Sequence, residues 1–228
     1  MTTPSPSLPK TRSTLSVWRS GLTLSPQTQR DALNVNRLHG LVLKGIPAQP
    51  GADRPAHVLF AAARGPQRRP RTASPAAGPP TRVLVQSPGL PDWQPLLTSG
   101  QVTEAAVTFV QQTYGEGDRI AVRIIANPTY RNLITRQRTA LTDAADCAAW
   151  LHQRLTDGGM HVARNHITVG DPVVLTGRKG PHPITAVCRE LQAHGTVTHA
   201  HALHTLLAEG LGPAKPYGCG LLVARPLE

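Results

Sequence analysis

The sequence predicts an α+β protein, and three observations carry that prediction. Strand-like and helix-like stretches alternate along the chain, and the strand-like ones are short and bounded by Gly, Pro or Asp. The helical period is clearest where Cys147, Leu151 and Leu155 fall at i, i+4 and i+8. At 228 residues the chain is long enough for two small domains or one larger one.

In chain order, residues 1–13 are rich in Pro, Ser and Thr and lack the apolar core of a signal peptide, so they read as a disordered lead-in. Thr14–Leu24 reads as a strand with Leu15, Val17 and Leu22 facing inward. Ser25-Pro26 supplies an N-cap and a proline at the first helical position. The helix it opens is expected to run to about Leu43, with Val35, Leu38 and Val42 on its core face. Ala56–Ala63 and Thr81–Ser87 read as two strands. Between them, Arg64–Arg82 holds five Pro and five Arg and too little apolar surface to order itself, so a mobile loop is expected over 64–82. Trp93 is expected in the core, and Pro95–Gln112 is expected to be a short second helix or turn region. Strand, helix, strand, strand is an order that suits a ferredoxin-like half over residues 14–112.

The second half, 117–228, opens at Gly117-Asp118. These turn the chain into a strand over Arg119–Ala126, with Ile120, Val122 and Ile124 on one face. Asp143–Asp157 is a helix ended by Gly158-Gly159. An irregular region follows to Leu175. Arg178-Lys179-Gly180 is turn-rich and is expected to order on binding. Ile184–Leu191 and Thr196–Thr198 are expected to form a hairpin around His194-Gly195. Ala200–Glu209 reads as a helix leading into a glycine-rich run.

Composition narrows the function. Lys and Arg total 24 against 13 Asp and Glu, a net charge of +11, which favours a polyanionic partner. Residues 1–112 hold 12 basic and 4 acidic residues, and residues 113–228 hold 12 and 9. Only two Phe, three Tyr and three Trp are present, too few to stack many single-stranded bases. A folded RNA helix read through shape and phosphates fits better. Three cysteines without a C-x-x-C pair argue against a disulfide framework and for a reducing cytoplasm. No apolar run approaches membrane-spanning length.

The densest motif is the C-terminal run 210–220, with Gly210, Gly212, Gly218, Gly220 and Lys215. Successive N–H groups in such a loop can cradle an anion, and the lysine adds a point charge. A helix cap and turn before a terminal strand is the other reading. The run lacks the Ser or Thr of a Walker loop, and it closes a helix where a Rossmann fingerprint would open one. His39, beside Gly40, lies off the apolar stripe of its helix, where the glycine weakens the helix and clears space for a ligand. Arg123, Arg131, Arg136 and Arg138 cluster around Ala126-Asn127-Pro128, as either a solvated surface or a phosphate-lined groove. His201 and His204 could share a helical face, but no Glu completes an H-E-x-x-H pattern. Neither a metal nor a cofactor is expected.

Three of these stretches occur together: Asn34–Pro47 with His39, Arg123-x-x-Ala126-Asn127-Pro128, and Gly210-Leu-Gly-Pro-Ala-Lys…Gly-Cys-Gly-Leu-Leu222. In this order they resemble the CasE family of the RAMP superfamily, the repeat-cleaving endoribonucleases of subtype I-E (Cascade) CRISPR systems. The resemblance implies two tandem ferredoxin-like (RRM-like) domains with an RNA groove where they meet. It implies metal-independent cleavage of precursor CRISPR RNA at the base of the repeat stem-loop, by 2′-OH attack. The products end in a 2′,3′-cyclic phosphate and a 5′-OH, and the mature crRNA stays bound among other Cascade subunits. By position His39 is the catalytic histidine and Lys44 a basic residue near the cleavage point. Asn36 stands where the family often has Tyr, and an amide cannot do a phenol's acid–base work. The glycine loop with Lys215, together with Arg131, Arg136, Arg178 and Lys179, would hold RNA phosphates. A catalytically weak or inactive crRNA-binding subunit is the alternative. A metal-dependent nuclease would need carboxylate clusters, and no D-x-D or E-x-K pattern lies near His39.

Overall fold

The computed structural model describes residues 11–47, 57–64, 78–134 and 136–228. Of the lead-in expected over 1–13, residues 1–10 lie outside the described residues, whereas Arg12 and Ser13 already belong to the first strand. Of the loop expected over 64–82, residues 65–77 lie outside them, whereas Arg64 and residues 80–82 belong to paired strands. No helix among the described residues is long and apolar enough to cross a membrane.

The first unit runs β1 (Arg12–Leu24), α1 (Pro26–Asp31), α2 (Val35–Lys44), β2 (Leu59–Arg64), β3 (Pro80–Ser87), α3 (Gln94–Thr98) and β4 (Val102–Gly115). Its sheet is antiparallel with strand order β2-β3-β1-β4, the order of a ferredoxin-like β-α-β-β-α-β unit. Helices α2 and α3 cover one face through Leu38, Leu41, Val42 and Leu96, packed on Leu22, Leu24, Val83 and Val85. Trp93 is buried there, its indole N–H donating to Ser20 Oγ at 2.8 Å.

The second unit runs β5 (Arg119–Ala126), β6 (Thr129–Arg131), β7 (Arg138–Ala140), α4 (Ala144–Asp157), β8 (Met160–His161), β9 (Ile167–Val169), β10 (Val173–Lys179), β11 (His182–Val197), α5 (Ala200–Glu209) and β12 (Leu222–Pro226). Its main path, β10-β11-β5-β12, repeats the same order, with β8 and β9 also laid along β11. Strands β6 and β7 form a separate ribbon. Cys147, Leu151 and Leu155 of α4 and Leu203 and Leu207 of α5 pack on Ile120, Val122 and Ile124. Both units are thus ferredoxin-like.

The units share a core. Leu15, Val17 and Tyr114 of the first sheet are buried in the apolar cluster of the second unit. Inward residues of β1 therefore face opposite ways, Leu15 and Val17 towards the second unit and Leu22 towards the first unit's own helices. Beyond that contact the two sheets part into a cleft of about 1000 Å³, walled by Gly21, Thr23 and Ala61 on one side and Ala121, Arg123 and Ala193 on the other.

Four expectations need correcting. The helix from Pro26 is two helices, because Asn34 turns its side chain onto the backbone as the N-cap of α2. Beyond α3, the segment 102–115 is not helical but the longest strand of its sheet. It is rich in Val and Thr and zipped to β1 over its whole length. His194-Gly195 is not a turn, since β11 runs straight through it. Gly195 fits there because a Cβ would lie 2.1 Å from the His161 carbonyl oxygen. The hairpin turn lies instead at Gly180-Pro181, so Arg178 and Lys179 end an ordered strand.

Candidate active site

Asn34 organises the site. Its Oδ1 accepts from the Asn36 N–H at 3.1 Å, capping α2. The same oxygen accepts from the Arg178 N–H at 3.2 Å. Position 177 is glycine because a Cβ there would lie 2.6 Å from that oxygen and 3.1 Å from Val35. One amide side chain thereby joins the helix that carries His39 to the strand that carries Arg178 and Lys179.

His39 is half-buried on α2, with Nδ1 3.1 Å from the carbonyl oxygen of Pro216. A carbonyl only accepts, so Nδ1 carries the hydrogen and Nε2 keeps its lone pair. The ring of Phe60 on β2 lies 6.4 Å away, centroid to centroid. Burial, and then the positive charge of Lys179, pushes the imidazole below its ordinary pKa of 6.5. At neutral pH the group is therefore an uncharged imidazole with a free Nε2, able to take a proton.

Pro216 belongs to the glycine loop, in a tight turn over Lys215–Tyr217. The loop's glycines are used for close packing. Gly210 has φ 71° and ψ 173°, a region that only glycine occupies readily. A Cβ there would lie 2.6 Å from the Gly220 carbonyl oxygen, and one on Gly218 would lie 2.9 Å from the Phe60 ring. The N–H groups of Gly210, Gly218 and Gly220 donate to Leu206, Lys215 and Ile125 carbonyls, so these three do not form the anion cradle expected of them. Gly212 packs against the Trp150 ring. Lys215 Nζ donates to the Glu209 carbonyl at 2.7 Å, capping the C-terminal end of α5. Beneath the loop, Cys219 and Cys188 are buried with their sulfurs 3.1 Å apart. The hydrogen bond to Cys188, reinforced by burial, raises the Cys219 thiol well above its usual range.

The structure thus gathers His39, Arg178, Lys179 and the turn carrying Lys215 into one place. Asn36, half-buried, is about 60° around α2 from His39. Lys44 is about 140° around the helix and lines a different groove. Arg131 and Arg136 sit on the β6–β7 ribbon, where Arg131 Nε donates to the Arg136 carbonyl at 3.2 Å. Sequence reasoning missed Asn34, Phe60 and the Pro216 carbonyl. Only Asn34 carried a signal, an asparagine directly before an apolar-periodic run.

The chain is similar to known CRISPR-associated proteins. A family model described as "CRISPR associated protein" matches residues 17–226. The CRISPR-associated endoribonuclease Cse3 of Thermus thermophilus is 28% identical over 225 residues, which cover 92% of this chain and 100% of that protein. The Cascade subunit CasE of Escherichia coli is 36% identical over 94 residues, covering 41% of this chain and 46% of that one. A structure of the endoribonuclease Cse3 bound to a 19 nt RNA superposes with a TM-score of 0.74 at 25% identity, covering 92% of this chain and 100% of that one. Since the family model takes in nearly the whole chain, from the first strand to the last, the chain belongs to the CRISPR-associated protein family it describes.

Proposed function

We propose that this protein is the endoribonuclease that cuts precursor CRISPR RNA at the base of each repeat stem-loop, without a metal, and then keeps the mature crRNA as a Cascade subunit. The observation that carries the reading is His39, whose Nδ1–H is anchored on Pro216, leaving Nε2 to act within reach of the Lys179 charge. The names of its Thermus and Escherichia relatives support the same activity and assembly.

In this reading His39 Nε2 takes the proton of the ribose 2′-OH. The 2′-oxygen bonds to phosphorus, the bond from phosphorus to the 5′-oxygen breaks, and the leaving oxygen takes its proton from solvent. The RNA supplies its own nucleophile, so the protein needs a positioned base and charge stabilisation. A base of this kind contributes about 10²–10⁴-fold. Lys179 and Arg178 would offset charge on the phosphorane, and Asn36 would hydrogen-bond a ribose or phosphate oxygen. Arg131, Arg136 and the loop around Lys215 would meet the phosphates of the stem. Residues 14–112 and 117–228 would be the two domains, and the site of action would be the cytoplasm.

The test is cleavage of a palindromic repeat RNA in excess EDTA, beside the same RNA with a single 2′-deoxy at the cut. Cleavage of the first alone, leaving a cyclic phosphate, is expected. Tight binding with no cleavage of either would leave a guide-binding subunit in place of a nuclease.

A further inference from the structure

The face of α2 beyond His39 carries a groove of about 300 Å³ between α1, α2 and the turn before β4. Its floor is apolar, built of Ala32, Leu38 and Leu41, all buried. Its rim is polar: Asp31, Arg37 and Lys44 with Gln101. That volume sits at the small end of ligand sites, too small for a helix or strand and suited to one flat ring.

The rim carries both signs of charge. Arg37 and Asp31 form an exposed pair at 3.2 Å, and Gln27 donates to the other Asp31 oxygen at 3.3 Å. A carboxylate has about four acceptor positions, so these two contacts leave it able to accept more. A site for phosphate alone gains nothing from a carboxylate, which repels it. A carboxylate beside an amide does match the amino-bearing edge of a nucleobase, and the two flanking cations match the phosphates on either side of it.

The groove shares helix α2 with the candidate active site. Gly40 follows His39 directly and lines the groove, and a Cβ at Gly40 would meet nothing within 4 Å. Packing therefore does not require glycine there, although glycine inside a helix costs stability. Its effect is to leave the groove wall next to His39 in the chain without a side chain.

We propose that this groove receives the base of one unpaired nucleotide adjoining the scissile phosphate. Asp31 and Gln101 read an amino-bearing edge, so adenine, cytosine or guanine is accepted over uracil, and Arg37 and Lys44 hold the neighbouring phosphates. Lys44 is then a positioning residue for the substrate strand and does not share His39's face of the helix. This inference rests on the endoribonuclease reading above.

The test measures kcat/KM on repeat RNAs in which each unpaired nucleotide beside the cut is replaced, one at a time, by an abasic site or by uracil. Wild type is compared with Asp31→Asn and Gln101→Leu, each first shown to melt cooperatively. At one position, removing the base should lower wild-type kcat/KM by about tenfold or more, since a good base contact discriminates by about 1–3 kcal/mol. The same removal should change the two variants by less than about threefold. Equal losses in wild type and both variants, or no loss at any position, would overturn the proposal while leaving the nuclease reading standing. If wild type fails to cut even the unmodified RNA, both fall together.

Discussion

Two glycines in this chain should respond to alanine with opposite signs. At Gly210, φ 71° and ψ 173° place the backbone in a region almost closed to other residues, at about 1–3 kcal/mol. The new Cβ would also lie 2.6 Å from the Gly220 carbonyl oxygen and 2.8 Å from both Leu59 methyl carbons. Overpacking of this kind costs about 1–3 kcal/mol more. Gly210→Ala should therefore destabilise by roughly 2–6 kcal/mol, a fall in Tm of at least about 4 °C for a chain of this size. Gly40 has open space around it inside α2, so Gly40→Ala should stabilise by about 0.5–1 kcal/mol through helix propensity alone. Thermal melts by far-ultraviolet circular dichroism, without RNA, read both. A Gly210→Ala protein that melts like wild type but binds repeat RNA more weakly would refute the packing argument. It would return that glycine to the role of an anion cradle.

The pH dependence of kcat/KM reports the free enzyme. With His39 held below 6.5 and acting as a base, the rate should be flat through neutral pH and fall on an acidic limb centred below 6.5. Stability follows the same sign. The unfolded chain binds this proton first, so the contribution of neutral His39 is lost as pH drops from about 6.5 towards its folded value. Lys179→Met should move the limb upward, and a wild-type limb at or above 6.5 would sink the assignment of His39 as base. Asn34→Ala removes a cap worth about 0.5–2 kcal/mol and also frees the β10 strand end. Asp143→Ala removes the comparable cap of α4, far along the sequence from His39. Cleavage per folded molecule should fall in the first and not in the second, and equal behaviour would show that Asn34 does no more than cap a helix.

The elements that could be read from sequence are those whose periodicity is unbroken. Helix α4 and strand β5 bury the residues that their spacing selects, and α5 has the bounds expected of it. Strand β4 escaped because most of its length is exposed and its stability comes from pairing with β1, a partner that no local window contains. Gly195 misled for a related reason: it marks a close backbone approach within a strand, and sequence alone cannot tell that from a turn. At the site, residue identity pointed to His39 and the glycine loop. What the loop gives to His39 is a backbone carbonyl, which any residue could have supplied, so nothing in the sequence marked it. The resemblance puts Lys44 near the cleavage point, and five residues of helix carry it to a face of α2 other than that of His39.

The hydrogen bond between His39 and Pro216 joins residues 177 positions apart. A ribosome adding about 5–20 residues per second separates the two by roughly 9–35 s. During that interval the nascent chain has no Pro216 carbonyl to fix the ring's tautomer and orientation. The residue that orients the imidazole is thus among the last to be made, and the ring is fixed only once the glycine loop has closed.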